Sequence, residues 1–157
     1  METMQTALLE SEYIMTLCGE MDAPLRIDDA LSIFNVTGGW AKGPKINAIV
    51  IQPAADWIQS MPDGSRRLDV RLTLKTDDGA LIYMSYNGVI LSTQTSRDKQ
   101  IKGEVVTSDD RYCISAPTFR TSNPKYAWLA ATQAIGKFIE SKHGQGSYIK
   151  YDVFAVR

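Results

Sequence analysis

The run Leu68-Asp69-Val70-Arg71-Leu72-Thr73-Leu74-Lys75-Thr76-Asp77-Asp78-Gly79-Ala80-Leu81-Ile82-Tyr83-Met84-Ser85-Tyr86-Asn87 decides the fold. Its two halves alternate apolar and polar residues, and Asp77-Asp78-Gly79 between them is a three-residue hairpin loop with glycine at the left-handed position. That loop pairs Leu74 with Ile82, Leu72 with Met84 and Val70 with Tyr86 on one face. It pairs Thr73 with Tyr83, Arg71 with Ser85 and Asp69 with Asn87 on the other. A slip of one residue would mix the two faces, so turn chemistry and alternation specify the same register.

Outward from this hairpin, the chain of 157 residues has the size of one domain, and 44% apolar residues suffice for a packed core. Net charge is −1 with both signs interspersed, so no basic footprint points to nucleic acid or a membrane surface, and neither partner is expected. Met1–Glu12 carries acidic residues and no apolar signal core, and no stretch approaches the roughly 20 apolar residues that span a bilayer. A cytoplasmic protein is the expectation. Cys18 and Cys113 stand far apart in strand-like runs, which fits buried thiols and neither a disulfide framework nor a metal site.

In chain order, short strand-like runs alternate with turn signals at the spacing of a sandwich or barrel. Tyr13–Glu20, Leu25–Ile27, Ser32–Thr37, Ile46–Gln52, Tyr112–Phe119 and Tyr148–Val156 read as strands. Gly38–Pro44 reads as a turn-rich segment, Pro53 as the end of its strand, and Ser92–Asp110 as a long polar loop of the kind that forms lids or mobile edges. After Pro124 two readings stay open. Trp128, Ala131, Ile135 and Phe138 fit a helical stripe, while Gly136 and the His143-Gly144-Gln145-Gly146 turn suit a closing hairpin.

Gly38-Gly39 with Gly43-Pro44, Ala55-Asp56-Trp57, Asp63-Gly64, Leu68–Arg71, Thr76-Asp77-Asp78-Gly79-Ala80-Leu81-Ile82-Tyr83, Pro124–Leu129 and Tyr151-Asp152-Val153 occur in this order. The arrangement resembles the bacterial and fungal family catalogued as domain of unknown function 3237, over nearly the whole chain. The resemblance implies a single antiparallel β-barrel, lipocalin-like in appearance and all-β with at most short helices, spanning 1–157. It also implies a strand over Ala130–Ile139. Alanines stand at Ala48 and Ala54, where the family tends to have glycines.

The chemistry is narrowed by exclusion. No nucleotide-binding glycine loop, zinc-ligand spacing or serine-hydrolase elbow is present, and no cofactor or metal is expected. His143, the only histidine, reads as a solvated loop residue. The polar ladder offers acid, cation and phenol together. If it faces the lumen, Asp69 is a candidate catalytic base, with Arg71 and Tyr83 stabilising an enolate oxygen, and Thr73, Ser85, Trp40, Asp56 and Trp57 shaping a substrate pocket. The apolar face would then point outward and require a cover, which predicts a homodimer. If the ladder faces solvent, Asp69 and Arg71 are an exposed ion pair of little energetic weight. Two functions fit a barrel with room for one small ligand. One is a cofactor-independent lyase, isomerase or cyclase acting on an apolar carbonyl compound; the other is a small-molecule-binding protein without chemistry.

Overall fold

The structure is a computed structural model that describes residues 5–157. Eleven strands form one antiparallel sheet: β1 (Ser11–Met21), β2 (Leu25–Arg26), β3 (Leu31–Gly43), β4 (Ile46–Ser60), β5 (Arg66–Thr76), β6 (Leu81–Ser92), β7 (Val106–Thr107), β8 (Arg111–Ser115), β9 (Thr118–Arg120), β10 (Ala134–Lys142) and β11 (Tyr148–Val156). Eight of them run β1-β11-β10-β8-β6-β5-β4-β3 and close when β3 pairs back onto β1. The family's β-barrel is therefore what the chain adopts, and among the described residues helix is confined to α1 (Gln94–Ile101), α2 (Ala127–Ala130) and a 3₁₀ turn at Pro124–Tyr126.

The central hairpin pairs in the expected register, Leu74 with Ile82 through Asp69 with Asn87. Gly79 adopts φ +87°, which a side chain would strain. Its apolar face lies inside: Leu68, Val70, Leu72, Leu74, Ile82, Met84 and Tyr86 are all buried. The polar face therefore looks outward, and Tyr83 is 41% exposed. This reverses the placement on which an interior ladder and an outer leucine patch both depended. With those leucines in the core, the outer patch that called for a dimer partner does not exist.

Several strands run further than turn chemistry suggests. β3 continues through Gly38-Gly39 with a register shift between Asn35 and Trp40, and β4 continues through Pro53 with one between Ile51 and Ala55. The first adds one residue on β4 relative to β3 and the second two relative to β5, and such irregularities bend a strand without ending it. Tyr112–Phe119 is not one strand but parts of two, β8 and β9. The region after Pro124 combines both readings: a short helix ends at Ala130, and the strand begins only at Ala134 and runs to Lys142.

One end of the barrel is sealed. Tyr126 and Leu129, buried to 1% and 0% exposure, plug it from the Pro124–Ala130 turns. The Tyr126 hydroxyl donates to Asp78 Oδ1 at 3.0 Å, and Lys125 Nζ lies 2.8 Å from Asp78 Oδ2. The hairpin loop thus holds the plug, and these donors keep the Asp78 carboxyl well below the usual carboxylate range. At the opposite rim, α1 is capped by Thr93, whose hydroxyl accepts from Ser96 N–H at 3.1 Å. Lys99 pairs with Asp110 at 2.8 Å, so the expected loop contains an ordered helix tied back to its far end.

The two faces of the hairpin predict opposite mutational outcomes. Leu74→Ala opens a cavity in a fully buried site and should lower unfolding free energy by about 2–5 kcal/mol in urea. Arg71→Ala, on the outer face, should change it by less than about 1 kcal/mol. The reverse order would mean that the ladder is interior.

Candidate functional site

The candidate site is the unsealed half of the lumen, which follows from strand parity. On β5, Arg66 shares the face of Leu68 and Val70; on β8, Arg111 shares that of Cys113 and Ser115. On β4, the two-residue shift after Ile51 preserves parity, so Asp56 points inward like Ile46, Ala48 and Val50, opposite Val70, and Trp57 lies outside. These groups meet Tyr86 from β6, Tyr151 from β11 and His143 from the β10–β11 turn around an interior walled by Leu17, Val36, Leu68, Val70, Leu72 and Ile90. The free space is about 40 Å³, room for a few water molecules at about 10–15 Å³ each. Half-buried Met21, Phe34 and Ile58 line its rim.

The charged groups are sparsely satisfied. Asp56, 8% exposed, accepts one bond, from the Asp69 backbone N–H at 3.3 Å. Burial pushes its carboxyl up to about 7, opposed by that hydrogen bond and by Arg66. Arg66 donates to Ser92 Oγ at 3.4 Å and Arg111 to Ser141 Oγ at 3.2 Å. Among the described residues, neither guanidinium has a carboxylate within ion-pair distance. The Arg111 plane lies over Phe138, 4.3 Å from its centroid, and its buried Nε has no partner. Burial also pushes the Tyr86 and Tyr151 phenols well up, so both are neutral donors. His143 is half-buried and not a free loop residue: its Nε2 lies 2.7 Å from Gln100 Nε2 of α1, and burial with Arg111 and Arg66 nearby lowers its ring to about 4.

Of the residues named from sequence, Asp56 alone reaches this interior. Asp69 and Arg71 form an outer ion pair at 3.8 Å, and Arg71 stacks over Trp57 at 5.7 Å from its centroid. The three gather, with Asn87, along an open groove on the outer wall. Thr73 donates to the Pro53 carbonyl at 2.9 Å, and Ser85 Oγ lies 3.5 Å from Thr118 Oγ1. Tyr83 pairs with Arg120 across β6 and β9. Trp40 lies on the face opposite the buried Ala41, with Lys42 Nζ 5.4 Å from its ring centroid. Sequence reasoning missed Arg66, Arg111, Tyr86, Tyr151 and His143. For Arg66 the signal was present, because it continues the apolar parity of β5 by one step.

The family described as protein of unknown function (DUF3237) matches residues 9–156, and the chain belongs to it. A UPF0311 protein of Clostridium acetobutylicum is 31% identical over 127 residues, covering 75% of this chain and 78% of that one. The crystal structure of a conserved protein of unknown function from Rhodopseudomonas palustris superposes with a TM-score of 0.85 at 25% identity, covering 98% of this chain and 100% of the other. That of a protein titled an enzyme, from Penicillium herquei, shares the fold with a TM-score of 0.65 at 19% identity, over 99% of this chain and 100% of that one. No helix among the described residues is long and apolar enough to cross a membrane.

The buried carboxyl and imidazole leave opposite marks on stability. The folded protein retains the Asp56 proton up to about pH 7, whereas the unfolded chain releases it near 3.8. In that window the folded state binds more protons, so stability falls as pH rises. For His143, lowered from 6.5 to about 4, the unfolded chain binds the extra proton between those values, and stability rises with pH. The two trends oppose each other in the wild type. Asp56→Asn removes the first, so urea unfolding should show the variant gaining about 2–3 kcal/mol on wild type between pH 5 and pH 8, at about 1.4 kcal/mol per pH unit of proton retention. A difference that is constant across pH would place the Asp56 carboxyl in the ordinary range.

Proposed function

We propose that the protein binds an apolar carbonyl compound in its lumen and catalyses a cofactor-independent isomerisation, elimination or ring closure, with Asp56 as general base. The observation that carries this reading is a carboxyl group held near neutrality in an apolar chamber, with cationic and phenolic donors beside it. A base is most effective when its pKa lies near the working pH. In this scheme the Asp56 carboxylate takes a proton from the carbon next to the carbonyl. The C–H electron pair becomes a C=C bond as the carbonyl π pair moves to oxygen, where the Arg66 guanidinium and the Tyr86 phenol stabilise the enolate. Return of the proton from Asp56 to another carbon gives isomerisation, and departure of a neighbouring leaving group gives elimination. Attack of the enolate carbon on a second electrophilic carbon of the same molecule closes a ring. The apolar wall excludes water from the enolate and strengthens each polar contact.

Proton abstraction is measurable without the natural substrate. β-Tetralone at millimolar concentration in D₂O should exchange its α-hydrogens faster with wild-type protein than in buffer, followed by proton NMR, with a rate that rises through an apparent pKa near 7. Asp56→Asn should lose the acceleration by about 10²-fold or more, while Asp69→Asn, on the outer wall, should keep it. Equal exchange by wild type and Asp56→Asn would overturn the assignment of the base. Saturable binding with no exchange would make the protein a carrier of the same ligand class.

A further inference from the structure

We infer that the lumen takes an organic anion: a small apolar molecule bearing a carboxylate, held by Arg111 with Arg66 beside it. The inference deepens the reading above by naming its substrate class, and it rests on that reading's choice of the lumen as the site. Arginine stays cationic even when buried, and a buried cation without a counter-ion is one of the most unfavourable arrangements a fold can keep. Arg111 is such a cation, and the half-buried Arg66 is close enough that the Arg111 charge opposes its own. Arg111 is 5% exposed; it has a hydroxyl partner at Ser141 and an aromatic face beneath it, but its Nε–H donates to nothing. That leaves an unused donor on a planar fork, the geometry that receives both oxygens of a carboxylate. Asp56, the carboxylate in this half of the barrel, pairs with neither arginine, so no protein carboxylate neutralises Arg111. The surrounding wall is aliphatic and aromatic, which favours an apolar body over an inorganic ion.

Calorimetric titration of the full chain with benzoate, benzamide and inorganic phosphate tests this. Benzoate should bind at one site, with benzamide and phosphate each at least tenfold weaker. Arg111→Met should weaken benzoate at least tenfold while unfolding at no lower urea concentration than wild type, since it removes an unpaired buried cation. Arg111→Lys, which keeps the charge and loses the fork, should fall between and serves if the Met variant does not fold. Equal binding of benzoate and benzamide, no benzoate binding, or benzoate binding unchanged in Arg111→Met would overturn the inference; phosphate binding as tightly as benzoate would overturn the organic class. Asp56→Asn should still bind benzoate. Lost anion discrimination beside intact Asp56-dependent exchange therefore sinks the anion site alone, and anion binding without exchange sinks the acid–base reading alone.

Discussion

Closure of the sheet between β1 and β3 is the constraint on which everything else rests. Gly39 sits opposite Gly19 across that seam, and a Cβ on Gly39 would lie 1.9 Å from the Cys18 carbonyl oxygen. At φ +129° its backbone is also one that side chains rarely adopt. A glycine there lets the first and third strands approach closely enough to hydrogen-bond, and the glycine-rich segment is explained by this contact without any ligand. Once the sheet is closed, it has a single inside. Each strand delivers alternate residues to it, and an eight-stranded barrel has room for little more than those side chains.

The inside is divided along its length. Toward the plug, Met15, Leu74, Ile82, Met84 and Val153 are fully buried, and the Asp78 loop fastens the Tyr126 hydroxyl beneath them. Toward the rim, the same parity brings in Asp56, Arg66 and Arg111. Burying such groups without ion pairs destabilises a fold. An apolar half that packs to zero exposure offsets that loss, and groups of this kind concentrate where a protein acts on another molecule.

The hairpin register was legible because alternation and turn chemistry are local and agree. Which face was interior was not legible from the hairpin alone, since both faces can line a barrel; it follows from what the remaining strands must bury. Arg66 could have been read from its parity with Leu68 and Val70. Asp56 could have been read the same way, because the shift at Ile51–Ala55 adds two residues and keeps it on the parity of Ile46, Ala48 and Val50; what hid it was Pro53, which resembles a strand end. His143 meets Gln100 across 43 residues of sequence, and only the folded rim brings them together. Helix α1 escaped notice because its capping box uses Ser96 where a Glu or Gln is the usual sign.

The central claim is that the chemistry of this barrel lies in the unsealed half of its lumen and not on its polar outer wall. The most direct measurement is a carbon-13 NMR titration of the Asp56 side-chain carboxyl in the native protein. The account predicts a midpoint near pH 7, set by burial among apolar walls. A midpoint near 4 would show a solvated carboxylate and contradict it.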